Sequence, residues 1–552
     1  MLTNRNSSFV WPLGTLLIAA PVSLPLLLLL WAALAPGGDS WAHMRDTVLA
    51  VYMANTIGLM LMVAVLTLII GVCTAWLSVH YEYPLRGLLV PALALPLAAP
   101  AYVIGYVYAD LLEFSGPIQE SLRSLLDLAP QTHLLPSIRS LPGAALVIAL
   151  VLYPYVYLLA RGSFVQQSGS LHEAARVLGA SPIRVFWRVG LPVAWPAVAG
   201  GLALVLMETV ADYGVVEHYG VPTLTTGIFR TWFAMGETAA ALQLAGWLFV
   251  LVCLLVVAEQ FARRGQRFNP LARHSELLRH RLRGWRGWFA FLLCFLPVFL
   301  GLLLPLGVLV HMAWHSGQSP LTASFFELVA NSVSVAGLAA LLCAGAALWL
   351  AYAERLYPSR WVAGGVRIAT LGYAVPGLVL AVALMVPLTS IDKWLAALLR
   401  DHLDLRWGLI LTGSAAALVF VYVARFLTVA FNATQAGLTQ IHPQLDAAAR
   451  SLGLTPGAVL CRVHLPLLRP AVLTGLLLVF LDVMKELPAT LILRPFNFET
   501  LATSVYRYAS DERLAQASTA ALVIVLVSLV PAFVLSRLRE AKNLSESQFC
   551  RL

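Results

Sequence analysis

The chain has 552 residues, of which 60% are apolar and 11% charged, and its 36 basic and 27 acidic side chains leave a net charge of +9. A soluble globule keeps about a quarter of its residues charged to face water. A mean hydropathy of +0.82 excludes one, together with a disordered chain, a disulfide scaffold and a nucleic-acid binder resting on a basic globular face.

In chain order, apolar runs approach the roughly 20 residues needed to cross about 30 Å of hydrocarbon near 11–35, 51–79, 87–111, 142–162, 193–215 and 237–262. A second set falls near 286–312, 328–354, 361–388, 407–432, 467–488 and 516–537. The expectation is an all-α integral membrane protein of twelve transmembrane helices. The first run is too long for a signal-peptide core of roughly 7–15 residues and reads as a retained span. Eight arginines lie between Arg263 and Arg286. By the positive-inside rule they place that segment, and both termini, in the cytoplasm; only Arg469 and Lys485 then count as basic residues within spans. The basic stretch reads as a topology-setting linker near anionic lipid, with no nucleic acid implied.

Two absences narrow the chemistry. The three lysines, Lys393, Lys485 and Lys542, never follow glycine, so no P-loop exists to hold ATP phosphates. The six cysteines show no CxxC spacing, and free thiols are expected. No nucleophile–base pair or metal-ligand spacing suggests an enzyme.

The chain is also written twice. A shift of 274 residues superimposes His172–Val205 on Asp446–Val479 without a gap, with 18 of 34 positions identical. Farther on, Thr226 and Arg230 recur as Thr503 and Arg507. Six spans per half is an even number, so the halves are parallel repeats about an axis along the membrane normal, and substrate paths commonly run between such repeats. The resulting division is a first half at 1–262 with a loop at 163–192, a basic linker at 263–286, and a second half at 287–552 with a loop at 433–466.

The two loops read "LHEAARVLGASPIRVFWRVGLPVAWPAV" and "LDAAARSLGLTPGAVLCRVHLPLLRPAV". Alanine, arginine and leucine favour helix up to Leu178 or Leu452, and Gly179 or Gly453 ends it in the left-handed region. Ser181-Pro182 and Thr455-Pro456 are hydroxyl caps followed by proline at the first helical position. Pro192 and Pro466 are expected to open the next spans. Two copies on one face suggest two docking points for a two-fold partner.

These loops resemble the EAA loops of binding-protein-dependent ABC importer permeases. Glu173, Ala174, Ala175 and Gly179 fit the pattern in full; Asp446, Ala448, Ala449 and Gly453 answer to it in the second copy, where Ala447 stands at the glutamate position. The resemblance implies a type I-like permease fold and a coupling helix in each loop that docks on a separate homodimeric ATP-binding subunit. That partner would use the ATP and magnesium, and this chain would bind no cofactor. Further implied are a periplasmic substrate-binding protein and a place in the bacterial inner membrane. Arg176 and Arg450 would serve the loops by bracing them or by meeting lipid phosphate. The stretches 208–233 and 484–515 are similar to the fused permeases of ferric iron importers, while related permeases carry thiamine, phosphonates or polyamines. An ion-coupled secondary transporter is the alternative from another class.

Glu208 and Asp212 stand one helical turn apart, as do Asp482 and Glu486, so each pair shares a face. Acids in the bilayer mark pathways by default, and carboxylates suit a hard cation. Three readings remain open: lining of a path, ion pairing with Lys485, and transient ligation without a stably bound metal. Tyr213, Glu217, His218 and Tyr219 follow toward the outer end of the span and could add oxygen or imidazole contacts, with Tyr213 counted among the candidate path residues, although a solvated loop face is the expected setting of the four.

Overall fold

The computed structural model describes residues 7–35, 38–129, 131–132, 134–167, 177–263, 279–316, 322–403 and 409–529. In lipid every backbone N–H and C=O must be satisfied within the protein, so apolar runs become helices. The main helices are α1 (Ser7–Leu34), α2 (Leu49–His80), α3 (Ala101–Leu112), α4 (Leu141–Gln166), α5 (Pro182–Ala211) and α6 (Thr238–Arg263). They continue with α7 (Trp285–His315), α8 (Ala323–Leu356), α9 (Gly377–Leu403), α10 (Ala415–Thr439), α11 (Pro456–Met484) and α12 (Leu514–Leu529).

Among the described residues ten of these are long and apolar enough to cross a membrane, eleven if the bent element containing α3 is counted. The expected twelve is therefore not confirmed among the described residues. The run at 87–111 is two limbs, Arg86–Ala98 and Ala101–Leu125, bent by 92°, because Pro91, Pro96 and Pro100 each remove a helical donor. The run at 361–388 splits into Arg360–Ala369 and α9; Pro376 disfavours helix at Val375, which is extended. The tenth helix starts at Ala415 rather than near 407, and the last is described only to Leu529.

α5 and α11 begin about ten residues before the expected starts. Pro192 and Pro466 do not open them; each lies inside a continuous helix, just after a π-turn at Phe186–Gly190 or Leu460–His464. The wider turn offers room ahead of a proline that cannot donate to the preceding turn.

The repeat survives in the packing. α2 lies on α4 and α5 as α8 lies on α10 and α11. Asn55 donates to the carbonyl of Pro222 at 2.9 Å and Asn331 to that of Glu499 at 3.1 Å. Next to them Thr56 accepts from the Leu224 N–H and Ser332 from that of Leu501. These clamps hold the segment after α5 or α11, where Thr223 with Thr226, and Thr500 with Thr503, form matching capping boxes. Thr226 and Thr503 are the pair that the repeat aligned.

Each half also lends its leading helix to the other. α1 packs on α6 and crosses to α8, α9 and Arg360–Ala369, with the Trp11 and Trp349 rings 4.4 Å apart. α7 lies along α2, α3 and α4, and the Tyr108 hydroxyl donates to the Leu300 carbonyl at 2.7 Å. The end of the basic linker is pinned as well. His280–Arg281 pairs in parallel with Tyr81–Glu82, and Arg86 and Arg279 each approach Glu82 to 3.3 Å.

Candidate functional site

α5 and α11 break at corresponding places. α5 ends at Ala211 and a short helix, Gly214–His218, follows; α11 ends at Met484, followed by Pro488–Leu493. The acid at each break satisfies the new helix's orphan donors. Asp212 accepts from the N–H groups of Val215 and Val216 at 3.1 and 3.2 Å. Glu486 accepts from those of Ala489 and Thr490 at 3.0 and 3.1 Å, and from the Thr490 hydroxyl at 2.8 Å.

Glu208, Asp212, Tyr213, Asp482, Lys485 and Glu486, singled out in the sequence, all line one cavity between the halves, where water-sized occupants have about 120 Å³. Its walls also include Tyr102, Tyr155 and Arg425. The suspected internal ion pair exists: Lys485 meets Asp482 at 2.9 Å. Glu208 accepts from the Tyr373 hydroxyl of the other half at 3.2 Å. Among the described residues no three His, Cys, Asp or Glu side chains converge as a metal cage.

Arg425 is the cavity-lining residue that the spacing did not reveal. It sits inside α10, so Arg469 and Lys485 are not the only basic residues within spans. Its guanidinium meets Glu486 at 3.1 Å with both side chains almost wholly buried. Buried charges need such partners, and a lone arginine in an apolar helix was the available signal.

The residues after Asp212 do not form a solvated face. Tyr213 and Tyr219 are buried. Tyr219 donates to the Gly105 carbonyl at 3.0 Å, and the hydroxyls of Tyr213 and Tyr506 lie 3.1 Å apart, bridging the halves. Glu217 is partly exposed and 3.7 Å from Arg230, and the His218 ring packs edge-on against Tyr106. The helix Gly214–His218 folds back against α3 and α4, which removes the water that these side chains would meet on a loop.

In the loops, Gly179 has φ +80° and Gly453 φ +82°, and in the second loop this left-handed conformation follows the end of Gln444–Ser451. Ser181 caps Pro182–Val185 and Thr455 caps Pro456–Val459. Glu173, Ala174, Ala175 and Arg176 lie outside the described residues. In the second loop Gln444–Ser451 is helical; Ala447, Ala448 and Arg450 are exposed and Ala449 is buried. Asp446 faces the protein, accepting from Arg355 at 2.8 Å and from the buried His464 ring. Burial pushes its carboxyl up, yet the hydrogen bonds from Arg355 and His464 outweigh that and hold it below the usual carboxylate range. The aligned leucines Leu178 and Leu452 are 87% and 82% exposed, with Val177 and Ile183 also open.

The profile of the binding-protein-dependent transport system inner membrane component family matches twice, over residues 68–263 and 343–542. The Fe(3+)-transport system permease protein FbpB 2 of Haemophilus influenzae is 27% identical over 551 residues, 97% of this chain and 99% of its own length. The probable sulfate transport system permease protein cysT of Nephroselmis olivacea is 31% identical over 216 residues, 39% of this chain and 73% of its own. The sulfate transport system permease protein CysW of Escherichia coli is 32% identical over 170 residues, 30% of this chain and 55% of its own.

Proposed function

The chain belongs to the family of binding-protein-dependent transport system inner membrane components, and from that premise we propose that it is the membrane subunit of an ATP-driven ferric iron importer. The observation that carries the substrate is one cavity, walled by both halves, in which four carboxylates face two cations. That excess of negative charge suits a hard, oxygen-seeking cation. Similarity to a ferric permease along nearly the whole chain supports the same reading.

In this reading a periplasmic binding protein delivers iron to the outer mouth. A homodimeric ATP-binding subunit docks on the loops at 163–192 and 433–466, contributing the ATP and magnesium that this chain does not bind. Leu178 and Leu452 are the apolar contacts, and Glu173, Ala174, Ala175, Ala448 and Ala449 belong to the docking helices. The linker and both termini lie on that cytoplasmic side. ATP binding draws the loops together and moves the cavity between outward and inward access. The work comes from the partner's differential affinity for the two states, since a ligand shifts an equilibrium only by that difference. Asp446, turned inward, fixes its helix to α8 instead of meeting the partner.

An oxyanion is the second reading. The Arg425 Nε is buried without a partner among the described residues, and sulfate permeases match part of the chain. Reconstitution with the co-purified ATP-binding chain separates the two. Iron-loaded binding protein should raise ATP hydrolysis and drive uptake of radiolabelled iron; stimulation by sulfate instead, or uptake without any ATP-binding chain, overturns the proposal.

A further inference from the structure

Away from the cavity, positive charge gathers where the basic linker meets the first half. Arg86 and Arg279 each reach Glu82 at 3.3 Å, and Arg161, near the end of α4, lies within electrostatic reach of Arg86. Three cations thus stand beside one carboxylate. The Arg161 Nε is buried with no hydrogen-bond partner among the described residues, and a buried donor rarely stays unsatisfied. Arg281 and Arg283, both exposed, follow Arg279 along the chain. The second half does not repeat the cluster. The shift of 274 residues maps Arg86 on Arg360, but maps Arg161 on Gln435 and Glu82 on Leu356, and Gln435 donates to Glu354 at 3.4 Å.

The start of α7 sets the depth of this cluster. Trp285 and Trp288 are 73% and 60% exposed, and Gly287 between them lies against Leu282 and Pro84. The Leu282 N–H in turn donates to the Glu82 carbonyl at 2.9 Å, so the tryptophans and the arginines belong to one corner of the molecule. Open tryptophans at the end of an apolar helix sit where hydrocarbon gives way to water. The guanidiniums therefore stand at the level of lipid headgroups.

We propose that Arg86, Arg161 and Arg279 hold the phosphate of an anionic phospholipid whose tails lie along the open face of α7. A guanidinium fork matches two phosphate oxygens at once, and such an oxygen is the acceptor that the Arg161 Nε lacks. Basic pockets between spans at the membrane surface suit anionic headgroups. A zwitterionic lipid, neutral overall, leaves the surplus of positive charge unanswered. The bound lipid joins α4, the end of the linker and the start of α7, and so fastens the second half's leading helix to the first half. The inference goes beyond the transport reading, because it needs α7 in a bilayer and nothing about the solute.

The test titrates the full chain, purified in neutral detergent, with phosphatidylglycerol or phosphatidylcholine and counts bound lipids by mass spectrometry of the intact protein. The tightest copy of phosphatidylglycerol should bind on the order of tenfold better than phosphatidylcholine. Arg161→Gln combined with Arg279→Gln should weaken it about thirtyfold, near fivefold for each arginine, and leave phosphatidylcholine unchanged. Arg279→Gln alone, at a half-exposed side chain, serves if the double variant does not fold, and should cost the fivefold share. The control removes the same charge from the corresponding end of the second half: Arg360→Gln with Arg367→Gln, both exposed, should stay within about twofold of the parent. Equal binding of the two lipids overturns the proposal, as does an equal loss in the control. Displacement of phosphatidylglycerol by inorganic phosphate at equal concentration would assign the cluster to a free anion and overturn it as well.

Discussion

The two acid pairs share spacing, helix and backbone role, and they differ in everything that the neighbouring helices add. Asp212 and Glu486 cap corresponding short helices with two N–H bonds each. That role is local and follows from the broken span, so duplication preserves it. One countercharge is local, Lys485 following Asp482 by three residues where the first half has Ala211, and the other comes across a helix contact, Arg425 standing in α10 where α4 has Val151. A repeat thus transmits geometry reliably and electrostatics poorly.

The largest way to break the comparison is to strip Glu486 of its cation. Arg425→Gln leaves a buried carboxylate without its countercharge, and breaking such a pair costs about 3–5 kcal/mol. The corresponding position offers the control. Val151→Ala in the first half removes only part of a buried side chain and should cost about 1–2 kcal/mol. Thermal unfolding of the purified chain in detergent reads both, and equal shifts would dissolve the asymmetry.

The loops test a likeness instead of a difference. Leu178 and Leu452 are matched and exposed, and burial of a leucine contributes about 1.5 kcal/mol or more. Leu178→Asp combined with Leu452→Asp should weaken docking of an ATP-binding partner on the order of a hundredfold, read as loss of co-purification. Each single substitution should cost about half of that in free energy. A partner retained by the double variant would show that the leucines face something else.

How much was legible follows the same division. Local signals were readable: the recurrence of 34 residues, the turn glycines, the hydroxyl caps, and the acids one turn apart that end on one cavity wall. Two features set by longer-range geometry were not. The π-turns ahead of Pro192 and Pro466 carry no residue signature, so proline read as a span's beginning rather than its interior. Burial of Tyr213 and Tyr219 depends on a short helix folding back on α3 and α4, which no periodicity within that short stretch announces. Arg425 was readable as a lone charge in an apolar helix, yet its partner lies 61 residues away on another helix.

Asp446 supplies a smaller contrast, because the first loop has His172 at its place. Asp446→Asn should loosen Gln444–Ser451 from α8 by about 1–2 kcal/mol, the scale of a charge-assisted hydrogen bond that is partly exposed. Its folded pKa lies below the unfolded value of about 3.9. The stabilisation is therefore complete above that value and disappears as pH falls through the lower, folded value. Measured relative to the intrinsic, base-catalysed rate, the exchange protection of the second loop should hold from neutral pH down to about 4 and fall only below it. The asparagine variant should exchange faster at neutral pH and lose that acid-dependent step.

The smallest expected effect is also the most symmetric. At Gly179 and Gly453 an added Cβ would meet nothing within 4 Å, so substitution costs only the backbone's left-handed conformation, about 1–2 kcal/mol for an ordinary residue. Asparagine tolerates that region better than alanine, and a β-branched residue worse. Each glycine changed to asparagine, alanine and valine should therefore rank in that order for loss of ATP-driven uptake, with the same ranking in both loops. A ranking set by side-chain volume alone would place alanine ahead of asparagine and indicate that the turn is packed against a partner. A ranking present in one loop only would mean that the halves transmit force unequally, extending to the loops the asymmetry already visible in the cavity.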